Sequence, residues 1–175
     1  MTQIPELEHT ILEDGTALTI RPIRPDDAPR LQAFHARLLP ETIYWRYLCP
    51  HPELSAAEAE RFTNVDYEHR MAFVATQAEQ GQEDIIGVAR YERLRAGPAD
   101  QAELGLVVED RFQRRGIGTI LFRHLVTHAQ SHGIRAFVAE IGAQNHRMLN
   151  FMRRSGLAAQ TQLDGGVMEM QVNLT

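Results

Sequence analysis

The sequence predicts a mixed α/β protein, and three observations support this prediction. Short alternating or apolar runs, which are typical of strands, occur on both sides of a long amphipathic segment at Ile120 to Ala129. Two turn sequences, Asp14-Gly15 and Asp164-Gly165-Gly166, each separate a pair of such runs and indicate β-hairpins. The chain contains no internal repeat, low-complexity stretch or linker. Residues 1–175 are therefore expected to form a single domain, in which residues 1–8 are a flexible N-terminus.

Local signals predict where the helices begin. Pro25-Asp26-Asp27 begins a helix with carboxylates in its first turn, and Pro40-Glu41 begins an aromatic-rich segment. Ser55 and Glu58 form a capping box for a third helix. Later helices are expected up to Ser131 and over 145–154, strands over 9–13, 17–23, 71–76, 84–94, 101–108, 135–141, 157–163 and 167–174, and a polar turn at 79–83. With the first hairpin counted as one unit, these make about seven strands.

The composition indicates a globular protein with room for a sizeable core. The chain has 175 residues, of which 43% are hydrophobic. No apolar run approaches the length of a membrane span, and the N-terminus lacks the basic and apolar regions of a signal peptide. The single cysteine, Cys49, excludes an internal disulfide. We therefore expect a cytoplasmic protein without a membrane partner.

The charge distribution argues against nucleic acid as a partner and favours an anionic ligand in the second part of the chain. The net charge is −5, which is unlike that of general nucleic-acid-binding proteins. Arginines surround the glycine pair Gly116 and Gly118, where they would attract an anion. These arginines are Arg111, Arg114, Arg115, Arg123, Arg135, Arg147, Arg153 and Arg154.

The stretch from Gln113 to Thr119 predicts a binding site for a diphosphate. It stands between the apolar run Leu104 to Val108 and the amphipathic segment, which is the order strand, tight turn, helix. The glycines allow a ligand to approach the backbone, and the free N–H groups of the first helical turn would point at it. Leu121 replaces the third glycine of a dinucleotide fingerprint, and the Gly-Lys-Ser/Thr of a P-loop is absent.

The remaining pattern, Gln-x-x-Gly-x-Gly after an apolar strand, resembles the coenzyme A pyrophosphate loop of the GNAT superfamily of N-acetyltransferases. The order of elements is similar to that of the GNAT fold, which has a mixed central sheet with helices on both faces. The resemblance implies acetyl-CoA as the cosubstrate. It also implies contacts from Val107, Val108, Gln113, Arg114, Arg115, Gly116, Ile117, Gly118, Thr119 and Asn145.

A second GNAT signature follows the strand over 135–141. Asn145, Met148, Met152 and Gly156 stand at the spacing of the family's Asn-x-x-Ala-x-x-x-Tyr-x-x-x-Gly-Phe segment. Asn145 is expected to cap a helix and, by the resemblance, to contact the pantetheine arm. Many relatives have at Met152 a tyrosine that protonates the leaving thiolate, and methionine cannot donate a proton. The reaction can tolerate this loss, because a thiol with a pKa of about 8.5 leaves as a thiolate without help.

Glu103 is the candidate catalytic base. An alkylammonium, with a pKa of about 10.4, must lose a proton before its nitrogen can attack a thioester, and a carboxylate can accept that proton. Strand alternation places Glu103 on one face with Gly105 and Val107, and Gly105 is expected to leave room over that face. GNAT protein acetyltransferases carry their catalytic glutamate on the same strand. Backbone N–H groups near Val107 and Val108 would then hold the thioester oxygen.

A resemblance to a smaller group of enzymes within the GNAT superfamily lies outside the turn from Gln113 to Thr119. Four segments are similar to the bacterial Pat-type protein lysine acetyltransferases: Leu39-Pro40-Glu41-x-x-Tyr44-x-Arg46-Tyr47, Leu54-Ser55, Asn64-Val65-Asp66-Tyr67 and Met71-Ala72. The resemblance implies that the acceptor is a lysine of a partner protein, for example an acyl-CoA synthetase. A small amine as acceptor, and a coenzyme A-binding sensor without turnover, are the alternatives. The acyl chain length and the oligomeric state stay open, and an oligomer is possible.

Three histidines on the central helix do not predict a metal site. His124, His128 and His132 recur at four-residue spacing and share one helix face. A His-x-x-x-His pair can bind zinc. Because no cysteine or carboxylate nearby in the sequence completes the ligand set, we expect a half-buried or solvated stripe and no metal.

Overall fold

The computed structural model describes residues 5–79 and 81–175, and in them the chain forms eight strands and five α-helices. Two short 3-10 turns, Pro25–Asp27 and Asp110–Phe112, precede α1 and α4 respectively. The elements are β1 (Glu8–Ile11), β2 (Ala17–Pro22), α1 (Ala28–Arg37), α2 (Pro40–Tyr47), α3 (Ala56–Thr63), β3 (Arg70–Glu79), β4 (Gln82–Arg93), β5 (Gln101–Val108), α4 (Ile117–Ser131), β6 (Ala136–Gly142), α5 (His146–Arg154), β7 (Ala159–Asp164) and β8 (Val167–Asn173).

All strands belong to one mixed sheet with the order β1-β2-β3-β4-β5-β6-β8-β7. Every neighbouring pair is antiparallel except β5 and β6, which are parallel. Their pairing runs only from Gln101↔Ala136 to Glu103↔Val138, although β5 continues to Val108 and β6 to Gly142. The two strands therefore separate beyond Glu103 and leave a V-shaped gap in the middle of the sheet.

Helices cover both faces of the sheet, as predicted. On one face, α4 and α5 pack on the larger core cluster, which includes Leu121, Leu125 and Met152. On the other face, α1, α2 and α3 pack on a second cluster around Ile23 and Val74. The alternation of side chains along β4 and β5 supplies both clusters. The eighth strand is a minor difference from the prediction, because the first hairpin contributes two separate strands.

Most helix starts agree with the local signals. The Ser55 side chain accepts a hydrogen bond from the Glu58 N–H at 3.2 Å, and the Glu58 side chain accepts one from the Ser55 N–H at 2.9 Å. This confirms the predicted capping box. Helix α2 begins at Pro40, which confirms the predicted start of the aromatic-rich segment.

Two predicted boundaries change. Strand β3 runs on to Glu79 and β4 begins at Gln82, so the polar turn expected over 79–83 is shorter, and residue 80 lies outside the described residues. The first four positions of the N-terminus expected to be flexible over 1–8 also lie outside them, and Glu8 already belongs to β1. No helix in the described part of the chain combines the length and the apolar character needed to cross a bilayer.

Candidate active site

A cleft of about 270 Å³ lies where β5 and β6 separate. The C-terminal half of β5, from Leu104 to Val108, forms one wall, and Ala139 to Ile141 of β6 form the other. The N-terminus of α4, the first turns of α5 and one side of α2 close the remaining sides. The short parallel pairing thus creates the cleft, since a fully paired sheet would have no gap here.

The turn between β5 and α4 is shaped by two residues with left-handed backbone conformations. Arg114 has a φ of 65° and Gly116 a φ of 86°. For the glycine this conformation costs little, whereas for the arginine it stores roughly 1–2 kcal/mol of strain. The Gln113 side chain holds the turn closed: its Nε2 donates to the Val108 carbonyl at 3.0 Å, and its Oε1 accepts from Arg147 at 3.3 Å.

The N-terminus of α4 faces the cleft without a cap. No side chain caps the helix at Gly116, and Ile120 is the first of its residues whose N–H reaches a backbone carbonyl, that of Gly116, at 3.1 Å. Among the described residues, none accepts from the N–H groups of Ile117, Gly118 or Thr119. Free N–H groups at the positive end of a helix dipole suit a diphosphate.

Most of the residues predicted to contact the cofactor line this cleft. They are Val107, Val108, Gln113, Arg114, Gly116, Ile117, Gly118, Thr119 and Asn145. Asn145 also caps α5, because its side-chain oxygen accepts from the Met148 N–H at 3.1 Å. The structure brings these residues together from three separate elements, while their contacts with a cofactor stay a prediction.

Arg115, which was also predicted to contact the cofactor, lies away from the cleft. Its guanidinium donates to the Asp14 carboxylate at 2.6 Å and lies 5.3 Å from the centre of the Phe112 ring. It also bonds to Thr16. Arg115 therefore connects the turn between β5 and α4 to the turn between β1 and β2.

Met152 does not face the cleft. Only 2% of its surface is exposed, and it packs in the larger core cluster, while Met148 and Phe151 of the same helix line the cleft. No tyrosine is found among the described residues that line the cleft. This arrangement agrees with the expectation that Met152 is not a proton donor.

Helix α2 covers the gap between β5 and β6 with two side chains that the sequence reasoning missed. A β-carbon on Gly142 of β6 would overlap the indole of Trp45, and one on Gly105 of β5 would overlap the guanidinium of Arg46. The expectation of free space over Gly105 was therefore wrong, because Arg46 fills it. The sequence did contain a signal for this contact: a glycine on each of the two strands, and a tryptophan next to an arginine on an earlier helix.

Next to the cleft lies an open groove with three carboxylates, Glu103, Glu140 and Glu169, which we call the acidic groove. Glu103 pairs with Val138 across β5 and β6, and Glu140 pairs with Glu169 across β6 and β8, so all three share one face. All three are exposed, as is all of β7 along the outer side. In the described part of the chain, none of them forms an ion pair.

The cleft and the acidic groove meet at β6. Ala139 and Glu140 line both. Glu103 lines the groove and immediately precedes Leu104, where the cleft wall begins. A molecule in the cleft and one in the groove would therefore meet between Glu103 and Glu140. Sequence reasoning missed Glu140 and Glu169, because their position depends on the pairing of distant strands.

The histidine stripe of α4 serves packing. His128 is buried, its Nδ1 lies 3.0 Å from the Tyr91 hydroxyl, and its ring stacks on His132 with centroids 4.0 Å apart. Burial, with a smaller effect of His132, lowers the pKa of His128 to about 4, so this ring is neutral at physiological pH. Within the described ranges, no group of His, Cys, Asp or Glu side chains could hold a metal ion.

The fold is that of the GNAT acetyltransferases, and the chain belongs to that family. Residues 17–158 match the acetyltransferase (GNAT) domain. The chain is similar to the GNAT domain of S. lividans PAT, whose crystal structure has 32% identity to it, a TM-score of 0.87 and coverage of 98% of this chain and 99% of that one.

Two further relatives are acetyltransferases. One, from Pseudomonas aeruginosa, is 32% identical over 153 residues, which cover 87% of this chain and 81% of that protein. The acetyltransferase Pat of Mycolicibacterium smegmatis is 30% identical over 160 residues, which cover 91% of this chain. The match covers only 46% of that Pat, so the chain spans about half of its length.

Proposed function

We propose that this acetyltransferase moves the acetyl group of acetyl-CoA to the side-chain amine of a lysine on a partner protein. The observation that carries the proposal is the acidic groove, which is open to solvent and meets the cleft at Glu140. An ammonium on a flexible stem that projects from a protein surface could enter such a groove. The similarity to Pat makes acyl-CoA synthetases the first partner proteins to test.

The cleft supplies what acetyl-CoA requires in this proposal. The free N–H groups of Ile117 to Thr119 would bind the diphosphate, and the gap between β5 and β6 would accept the pantetheine arm. The thioester would then lie beside the strand segment that ends at Val107 and Val108, where backbone N–H groups can stabilise an oxyanion.

The transfer itself needs few groups. Glu103 takes one proton from the ammonium, and the free nitrogen attacks the thioester carbonyl carbon, which forms a carbon–nitrogen bond. The carbon–sulfur bond breaks, and coenzyme A leaves as a thiolate that takes up the second proton lost by the nitrogen. Since Met152 cannot donate, the proposal relies on the low basicity of the thiolate for this step.

Gly118→Val is expected to weaken acetyl-CoA binding about 5- to 150-fold, which corresponds to the roughly 1–3 kcal/mol that overpacking costs. The β-carbon itself would fit, because its nearest neighbours, Phe151, Leu106 and Val108, lie at 3.7 to 3.8 Å. The branched methyl groups would extend toward the diphosphate. Calorimetry measures the affinity, thermal unfolding checks the fold, and Gly118→Ala is the control with a smaller loss. Unchanged affinity in a folded Gly118→Val protein would exclude this turn as the diphosphate site.

Removal of the charge of Glu169 should weaken the use of a lysine-containing protein. Because an exposed ion pair contributes about 0.2–1 kcal/mol, Glu169→Gln should lower kcat/KM about 1.5- to 5-fold at low salt. The difference should shrink at high salt. The control is Glu53→Gln, which removes an exposed charge from the loop before α3 and should have no effect. Equal effects of both substitutions would contradict a specific role of the groove.

The main experiment follows thiol release from acetyl-CoA with a panel of small amines, lysine peptides and intact proteins. Faster turnover with proteins and peptides supports the proposal. A strong preference for one small amine would favour a small-molecule acetyltransferase, which needs an enclosed acceptor pocket. Tight acetyl-CoA binding with no turnover on any acceptor would favour a coenzyme A-binding sensor.

A further inference from the structure

Arg46 and Arg90 lie on the same face of the sheet near Gly105, and no carboxylate of the described residues pairs with either. Arg90 is the partner of Gly105 in the pairing of β4 with β5, so its side chain leaves the sheet on the same face. The guanidinium of Arg46 lies over Gly105 from α2. Within the described residues, neither guanidinium forms an ion pair. Two positive charges therefore converge beside the strand that forms the cleft wall.

Arg90 is buried, so the lack of a hydrogen-bond partner for its charged group is energetically unfavourable. Arg90 is only 9% exposed, and its Nη2 is buried without a hydrogen-bond partner. The guanidinium carbon lies 4.3 Å from the centre of the Phe62 ring, and this cation–π contact offsets only part of the desolvation. Burial, and then the charge of Arg46, lowers the pKa of Arg90 to about 10, so the group is still a cation at neutral pH.

The neighbouring carboxylate on β4 is engaged elsewhere. Glu92 lies 3.6 Å from Arg61, 3.7 Å from Arg70 and 3.9 Å from Arg95. No carboxylate of the described chain therefore balances these two charges, and an anion that does so would come from outside it. Arg46 lines the cleft and not the acidic groove, whereas Arg90 lines neither, so an anion would contact Arg46 directly. This anion would therefore arrive with the acyl donor and not with the acceptor.

We propose that Arg46, supported by the positive charge of the buried Arg90, binds a carboxylate at the far end of the acyl group, so that the protein also uses short dicarboxylic acyl thioesters of coenzyme A as donors. This inference rests on the proposed function for the position of the thioester. The reaction keeps its balance: the amine nitrogen bonds to the thioester carbonyl carbon, the carbon–sulfur bond breaks, and two protons pass to Glu103 and to the thiolate. The amide product then carries a free carboxylate.

The test compares the dissociation constants of succinyl-CoA and butyryl-CoA by calorimetry without any acceptor. The two acyl chains have the same number of carbons, and only succinyl carries a carboxylate. We expect succinyl-CoA to bind at least about tenfold more tightly, as a charge-assisted pair of hydrogen bonds allows. In Arg46→Gln the ratio should approach one, whereas Arg95→Gln, which removes a charge that is 92% exposed, should keep it.

Each ratio compares the dissociation constants of two ligands for the same protein. A substitution that weakens the binding of both ligands equally therefore leaves the ratio unchanged. Equal or weaker binding of succinyl-CoA to the unchanged protein would overturn the proposal, and so would a ratio that Arg46→Gln leaves intact. Acceptor peptides with Asp or Asn beside the lysine provide a second comparison with acetyl-CoA. The protein could prefer the Asp peptide, lose that preference in Arg46→Gln, and show no preference for succinyl-CoA over butyryl-CoA. This result would place the anion on the acceptor and overturn the proposal. Failure of lysine transfer with every donor would refute the proposed function alone, since the binding ratio needs no acceptor.

Discussion

Glu103→Gln is expected to lower kcat/KM for a lysine acceptor by roughly a hundredfold to ten-thousandfold near neutral pH. The substitution keeps the shape of the side chain and removes the group that accepts the ammonium proton. Affinity for acetyl-CoA should change little, because the cofactor is expected to bind at the turn after β5 and not in the groove that Glu103 lines. The loss should shrink as the pH rises toward about 10.4, since the free amine then needs no base.

A pH–rate profile of both proteins on one acceptor, with cofactor binding measured separately, checks this prediction. Glu140→Gln is the matched control, since it makes the same chemical change in the same groove and lines the cleft as well. A parallel loss at every pH would mean that Glu103 only positions the acceptor. A large loss in Glu140→Gln, with none in Glu103→Gln, would make Glu140 the base.

Two other acids are poorer candidates for that role. Burial raises the pKa of Asp66, but backbone N–H groups of Glu68, Arg70 and His69 outweigh it, so the pKa lies below its usual range. A carboxylate held in this way is a weak base. Glu68 lines a separate cavity along the histidine stripe of α4, together with Phe73 and His128. Neither acid lines the cleft or the acidic groove.

The parts of the site that local sequence determines could be predicted. The turn from Gln113 to Thr119 depends on an apolar strand, two glycines and an amphipathic helix that follow one another directly, and these interactions span few residues. The capping box of Ser55 and Glu58 is local in the same way. The α/β class could be predicted in the same way, because each strand and helix has its own local pattern and their order along the chain indicates the class.

Features that depend on long-range pairing could not be predicted. The acidic groove exists because β6 pairs with β8 so that Glu140 stands opposite Glu169, and no local pattern determines that alignment. The position of Arg46 over Gly105 depends on how α2 crosses the separated strands. Asp27 shows the same limit: the sequence predicted a favourable first-turn charge, whereas the structure buries it completely against Arg21.

Asp27→Ala is expected to lower the free energy of unfolding by about 3–5 kcal/mol, because it leaves the buried Arg21 guanidinium with only the partly exposed Glu83 as its counter-ion. Arg21, of which only 2% is exposed, donates two hydrogen bonds from its guanidinium to the Asp27 carboxylate, at 2.7 and 2.8 Å. Burial alone lowers the pKa of Arg21, but Asp27 and Glu83 raise it above its usual value, so the group stays charged. Arginine cannot relieve the loss by deprotonation.

Denaturant unfolding should show this loss directly, and thermal unfolding should show a melting temperature lower by about 6 to 20 °C for a chain of this size. Asp26→Ala is the matched control: the neighbouring side chain is exposed, so the loss should stay below about 1 kcal/mol. The double substitution Arg21→Met with Asp27→Leu removes both buried charges and should recover much of the stability, because the remaining carboxylate, Glu83, is partly exposed to solvent. A double variant as unstable as Asp27→Ala would show that shape and hydrogen bonding at this position, and not the loss of the buried counter-ion of Arg21, account for the effect.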